Sequence, residues 1–150
     1  MNENENKSEN YVNEVIAHEV KSQDVYLDIA NKWANMKTSV GMDVTLIMKG
    51  CIVTGSIISG KLWAEKQSAN LKRTETDEDK QLVRDAIADS IQSLGDSLYA
   101  SENESSPHSF MHLTNANILS PSGHSLGIKA DMRIKLGEVD GFFFGNTKKS

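Results

Sequence analysis

From Val44 to Met48 apolar residues recur at a step of two, and beyond a Lys49-Gly50 pair the chain becomes continuously apolar and β-branched. Val44, Leu46 and Met48 alternate with Thr45 and Lys49, the spacing that turns one side of a strand toward a core. Glycine accepts the positive φ of a two-residue hairpin loop, so Lys49-Gly50 is read as the turn. Cys51 to Ile58 is apolar and β-branched, hence a second strand. Gly55 inside it marks a bulge or a close backbone approach.

On both sides of this hairpin the period is helical. Upstream, Tyr11, Val12, Val15 and Ile16, then Val25, Ile29 and Trp33, predict helix from about Tyr11 to Thr38. Ser22-Gln23-Asp24 is placed to cap a second helix within that stretch. Downstream, Lys61 to Lys72 is rich in good helix formers. Thr74 to Asp79 then gathers four carboxylates where a following helix would start, matching the positive end of its dipole, with Thr76 as the cap. Val83, Ile87, Ile91, Leu94 and Leu98 form one apolar stripe on that helix, from about Thr76 to Tyr99. The stripe is expected to pack on the sheet.

The last third returns to strands. Phe110 to Leu119 is extended, Ser120-Pro121-Ser122-Gly123 is a turn, and Ile128 to Leu136 alternates Met132, Ile134 and Leu136 with Arg133 and Lys135. Gly137-Glu138 breaks the run before Val139 to Phe144. The expectation is an α+β fold: a small bent antiparallel sheet, or an SH3-like barrel, of about five strands. N-terminal helices precede it, and a helical insertion separates strands two and three. Residues 1–10 read as a disordered tail and 146–150 as a flexible one, flanking a single domain over 11–145.

Charge and cysteine usage narrow the function classes. The net charge is −5, and the lysines and arginines are scattered, not gathered into a phosphate-neutralising patch. Nucleic acid and anionic membranes are therefore disfavoured partners. No apolar run is long enough to cross a bilayer, and Met1 to Asn10 does not resemble a secretory signal. A single cysteine fits a reducing cytoplasm.

Two resemblances arise. Phe110-Met-His-Leu-Thr-Asn-Ala-Asn-Ile118 and Arg133-Ile-Lys-Leu-Gly-Glu-Val-Asp-Gly-Phe-Phe-Phe-Gly145, with the upstream Val53-Thr-Gly-Ser-Ile-Ile-Ser59, resemble the gas-vesicle accessory protein U family of gas-vesicle-forming bacteria. The Glu-Val-Asp-Gly-Phe-Phe ending is the most distinctive element. The resemblance covers about residues 42–145. It implies a cytoplasmic, vesicle-associated accessory protein without enzymatic activity, acting through contacts with gas-vesicle proteins or the vesicle surface on assembly or clustering. The order of Gly50, Gly55 and Leu113-Thr-Asn-Ala116 is similar to the Sm-like, SH3-type small barrels, which implies an RNA-binding alternative. Two departures weigh against that alternative. Lys61 to Tyr99 is inserted between strands adjacent in Sm proteins, and Leu136 precedes Gly137 where those proteins carry an RNA-contacting arginine.

The sequence carries little reactive chemistry. His108, His112 and His124 fall within 17 residues, but they carry no metal-ligand spacing and no cysteine accompanies them. Cys51 is expected to pack as a small apolar residue, not to react. The acidic run at 75–79 lacks the glycine and terminal glutamate of a calcium loop. No catalytic residue, cofactor or metal is assigned. The remaining feature is Phe142-Phe143-Phe144. Successive side chains on a strand alternate, so the three rings cannot share one face. Phe142 and Phe144 together are the candidate interaction surface. A homo-oligomer through Val139 to Phe144, at a sheet edge, is the expectation that follows.

Overall fold

The structure is a computed structural model that describes Asn10 and residues 24–36, 41–73, 77–100 and 108–146. Of the expected tails at 1–10 and 146–150 all but Asn10 and Asn146 lie outside the described residues, as do residues 11–23 and 37–38 of the helix expected from Tyr11 to Thr38 and the Thr76 cap.

The elements in chain order are α1 (Val25–Met36), β1 (Met42–Met48), β2 (Cys51–Ile58), α2 (Gly60–Leu71), α3 (Glu78–Leu98), β3 (Phe110–Leu119), β4 (Ser125–Lys135), a 3-10 turn (Leu136–Glu138) and β5 (Gly141–Phe144). The five strands form one antiparallel sheet in the order β4-β3-β2-β1-β5. Among the described residues its outer strands are paired on one side only, so of the two expected forms the sheet is the open one. The helices precede the sheet and separate β2 from β3, as the pattern implied.

The hairpin forms around Lys49 and Gly50, both at positive φ, with Met48 paired to Cys51. Gly55 does both things expected of it. The β2–β3 register shifts beside it, and a Cβ there would press on the Ala116 Cα and the Thr114 carbonyl, each at 3.2 Å. In β3, Asn115 takes φ 51°, and the bulge it makes lets Leu113 and Ala116 face the same side.

One face of the sheet carries Val44, Leu46, Val53, Ile57, Met111, Leu113, Ala116 and Ile134. α1 closes it with Leu27, Ala30 and Ala34. α1 starts at Asp24, whose carboxylate accepts from the N–H groups of Tyr26 and Leu27. The residues it turns inward are small apart from Leu27, which lets the helix lie close; Trp33 points out and is exposed. Buried Asn31 donates from Nδ2 to the Phe110 carbonyl (2.8 Å), and Asn35 Oδ1 accepts from the Gly60 N–H (2.8 Å), tying α1 to β3 and to the start of α2.

On the opposite face stands the α2–α3 hairpin, and here the expectation fails. α3 does not pack on the sheet through its apolar stripe. Val83, Ile87, Leu94 and Leu98 are exposed, and only Ile91 is half-buried. The helix rests on α2 through Ala88 and Gly95, its two buried residues. A Cβ on Gly95 would overlap Ala64, so close helix–helix approach, not apolar bulk, decides which side of α3 faces inward. Arg84 Nε donates to the Leu71 carbonyl (3.0 Å) and Lys72 pairs with Asp89 (2.7 Å), holding the hairpin shut. The α3 cap is Asp77, whose carboxylate accepts from the Asp79 and Lys80 N–H groups.

Candidate protein-binding surface

The C-terminal segment folds as a clasp on the first hairpin. After β4 the 3-10 turn reverses the chain, with the Val139 N–H donating to the Leu136 carbonyl (3.2 Å). Asp140 is thereby brought to the hairpin turn, where its Oδ2 accepts from the Lys49 N–H (2.8 Å); its own N–H donates to the Ile47 carbonyl (2.9 Å). Glu138 pairs with the Lys49 ammonium, which raises the lysine's pKa and lowers that of the carboxylate. Lys49 sits at φ 45°, a conformation disfavoured for a side-chain-bearing residue, and its N–H and its ammonium are both held by this segment. The Glu138-Val-Asp-Gly141 stretch thus sets where β5 begins.

β5 is an edge strand, paired with β1 through Gly141–Ile47, Phe142–Leu46, Phe143–Thr45 and Phe144–Val44. Phe142 and Phe144 share a face and meet edge to face at 5.3 Å. Phe142 is partly buried against the core, while Phe144 remains 49% exposed beside it. Phe143 lies on the other face, 46% exposed, near exposed Ile47. Thr45, opposite Phe143, is buried because Gly145 closes over it and accepts from its Oγ1 (2.9 Å). The same face carries an open trough of about 830 Å³ with Ile52, Thr54, Asn117, Leu119, Lys129 and Asn146 among its walls.

Of the three histidines, only His108 and His112 come together, both against Tyr99. His112 is buried, packs on Trp63 at 5.1 Å between ring centroids, and has a pKa driven down to about 3 by burial, then by Arg133 and His108. Its Nδ1 and the Trp63 Nε1 are buried without a hydrogen-bond partner among the described residues. Burial also lowers the pKa of His108 and raises that of Tyr99. Arg133 stacks over Phe110, 4.0 Å from the ring centroid. His124 instead belongs to the Ser120–Gly123 turn, with Nδ1 2.9 Å from Ser122 Oγ. No group of three or more His, Cys, Asp or Glu side chains able to hold a metal occurs among the described residues. Cys51, expected to be packed away, is exposed, because it ends the hairpin loop and not the middle of its strand.

These features define an α+β protein whose distinguishing surfaces are apolar: an aromatic sheet edge and a helix face without a partner among the described residues. Among the described residues no helix is long and apolar enough to cross a membrane. A family model described as Gas vesicle protein GvpU-like matches residues 24–147, and the chain belongs to that gas-vesicle family. No curated protein and no solved structure matches the chain.

The matched region covers the segments on which the resemblance was read, including the clasp and β5. The sequence did not reveal the outward turn of the α3 stripe. The only written signal for it was the pairing of Gly95 with Ala88, seven residues apart on one side of the helix.

Proposed function

We propose that this protein is a non-catalytic accessory factor of gas vesicles, acting in the cytoplasm through contacts with vesicle proteins or the vesicle surface. Its effect would fall on vesicle assembly or clustering. The family match over residues 24–147 carries this reading. The aromatic edge supports it: Phe144, resting on Phe142, offers apolar surface beside unpaired backbone groups of an edge strand.

Flotation is the direct test, because vesicles rise and carry what they bind. Purified protein mixed with isolated vesicles should appear in the floating layer, and Phe144→Ser should deplete it while leaving the fold intact. Protein that stays below the vesicles overturns the reading. Saturable, salt-sensitive binding to single-stranded RNA would replace it with the Sm-like alternative.

A further inference from the structure

The exposed stripe on α3 has a spacing that matches its own reverse. Val83, Ile87, Leu94 and Leu98 are separated by four, seven and four residues, so reading the helix backward gives the same pattern. At about 100° per residue these side chains and Ile91 fall within one quarter of the helix circumference. They occupy a 21-residue helix, long enough to form a seam of about 30 Å. Four of the helix's five carboxylates lie away from the stripe, while Asp79, Lys80 and Arg84, in its first two turns, stand nearer to it. Glu78, Asp85, Asp89 and Asp96 project from the side opposite the stripe, so a second copy laid against it brings none of these carboxylates across the seam from another.

We propose that α3 is a homodimer seam, pairing antiparallel about a two-fold axis that passes between Ser90 and Ile91. In that arrangement Val83 of each copy meets Leu98 of the other, and Ile87 meets Leu94. Each copy brings an α2–α3 hairpin, so the joined pair is a four-helix arrangement in which α3 gains on its outer side the apolar cover that α2 gives on its inner side. Two such stripes laid together bury on the order of 1,000 Å², the size at which specific interfaces begin. The seam is independent of vesicle binding and leaves β5 free.

The full chain should sediment as a dimer or a larger even-numbered assembly. Ile87→Glu and Leu94→Glu should each run at half the wild-type mass, with unchanged helical circular dichroism, since both sites are exposed within one copy. Orientation is read by crosslinking in a Cys51→Ser background. Mixed Val83→Cys and Leu98→Cys chains should join to each other by a disulfide on oxidation, and Val83→Cys alone should not. A monomeric or odd-numbered wild type overturns the proposal. So does a glutamate variant that keeps the wild-type mass, or one that unfolds, which would mean that the chain's own residues cover the stripe. Self-linking of Val83→Cys would make the pairing parallel and overturn it as well.

Discussion

α1 and α3 are both amphipathic, yet their apolar sides meet different fates. α1 brings Leu27, Ala30 and Ala34 onto the sheet and buries all three. α3 is longer and its stripe is bulkier, but that stripe is left outside, and the inward side is Ala88 and Gly95. In both helices small residues lie in the contact that the fold uses, with Leu27 of α1 as the one bulky member. A helix lies close to its support where side chains are short, and bulky residues at the same pitch are left for whatever comes later. Apolar periodicity therefore shows that a face will be covered, without showing by what.

The sharpest way to break this comparison is to put one charge in each helix. Leu27→Asp places an unpaired carboxylate in a site with no exposure, and should cost more than about 4 kcal/mol or prevent folding. Ile87→Asp should change the unfolding free energy of the monomer by less than about 0.5 kcal/mol in urea titrations run at dilution. Equal losses would mean that α3 is a core helix after all.

The two sides of the sheet also differ in how they answer acid. The α1 side is almost wholly apolar, whereas the α2–α3 side buries His112 between Trp63 and Tyr99. An unfolded histidine takes up a proton near pH 6.5, while the folded His112 resists until about pH 3. Folding stability should therefore fall as pH drops below about 6.5, by up to about 1.4 kcal/mol per unit from this group alone. The groups facing it are Arg133 on β4, His108 before β3, and Tyr99 after α3. His112→Phe removes the titration and the buried Nδ1. The variant should gain on the wild type with each unit of acid, by about 2–3 kcal/mol at pH 4.5. A parallel pH profile for the two proteins would show that His112 is hydrated when folded.

A third substitution tests the small-residue rule directly. Gly95→Ala improves helix propensity by up to about 1 kcal/mol, but its methyl overlaps Ala64. Overpacking of that kind costs about 1–3 kcal/mol, so a net loss of about 1–2 kcal/mol is expected. Ala64→Gly in the same chain should recover most of it. If Gly95→Ala is stabilising instead, the hairpin opens easily, and the inward side of α3 is set by something other than this contact.

Much of this architecture could be read from the residues, and the reason differs by region. β2 and β3 were legible to the residue, because turn chemistry at Lys49-Gly50 and β-branched runs are local signals. β4 begins at Ser125, before its alternation becomes visible at Ile128, because the start of that strand is solvent-exposed and no pattern is enforced there. The inward side of α1 was not legible, since Ala30, Asn31 and Ala34 carry little hydrophobic weight beside Val25, Ile29 and Trp33. Of the candidate surface, the alternation of the three phenylalanines followed from strand geometry alone. That Phe142 is the ring anchored to the core required knowing that β5 pairs with β1 in the Leu46–Phe142 register.

The smallest expected effect concerns the clasp, which joins the most legible region to the least. Asp140 and Glu138 both hold Lys49, but they hold different groups. Asp140 accepts from a backbone N–H whose residue is fixed in the left-handed region, so the bond supports a turn that lysine alone would not favour. Glu138 pairs with an ammonium on an exposed side chain, and solvent competes for both partners. Asp140→Ala should therefore cost about 1 kcal/mol of stability, and Asp140→Asn, which keeps an acceptor oxygen, should cost less. Glu138→Gln should be felt only in dilute buffer and vanish in concentrated salt. Lys49→Gly relaxes the turn itself, since glycine adopts positive φ without strain. In that background Asp140→Ala should lose part of its effect, because the bond no longer has strain to offset. An undiminished effect would place Asp140's contribution in positioning β5 against β1, which the Asp140 N–H to Ile47 carbonyl bond also serves.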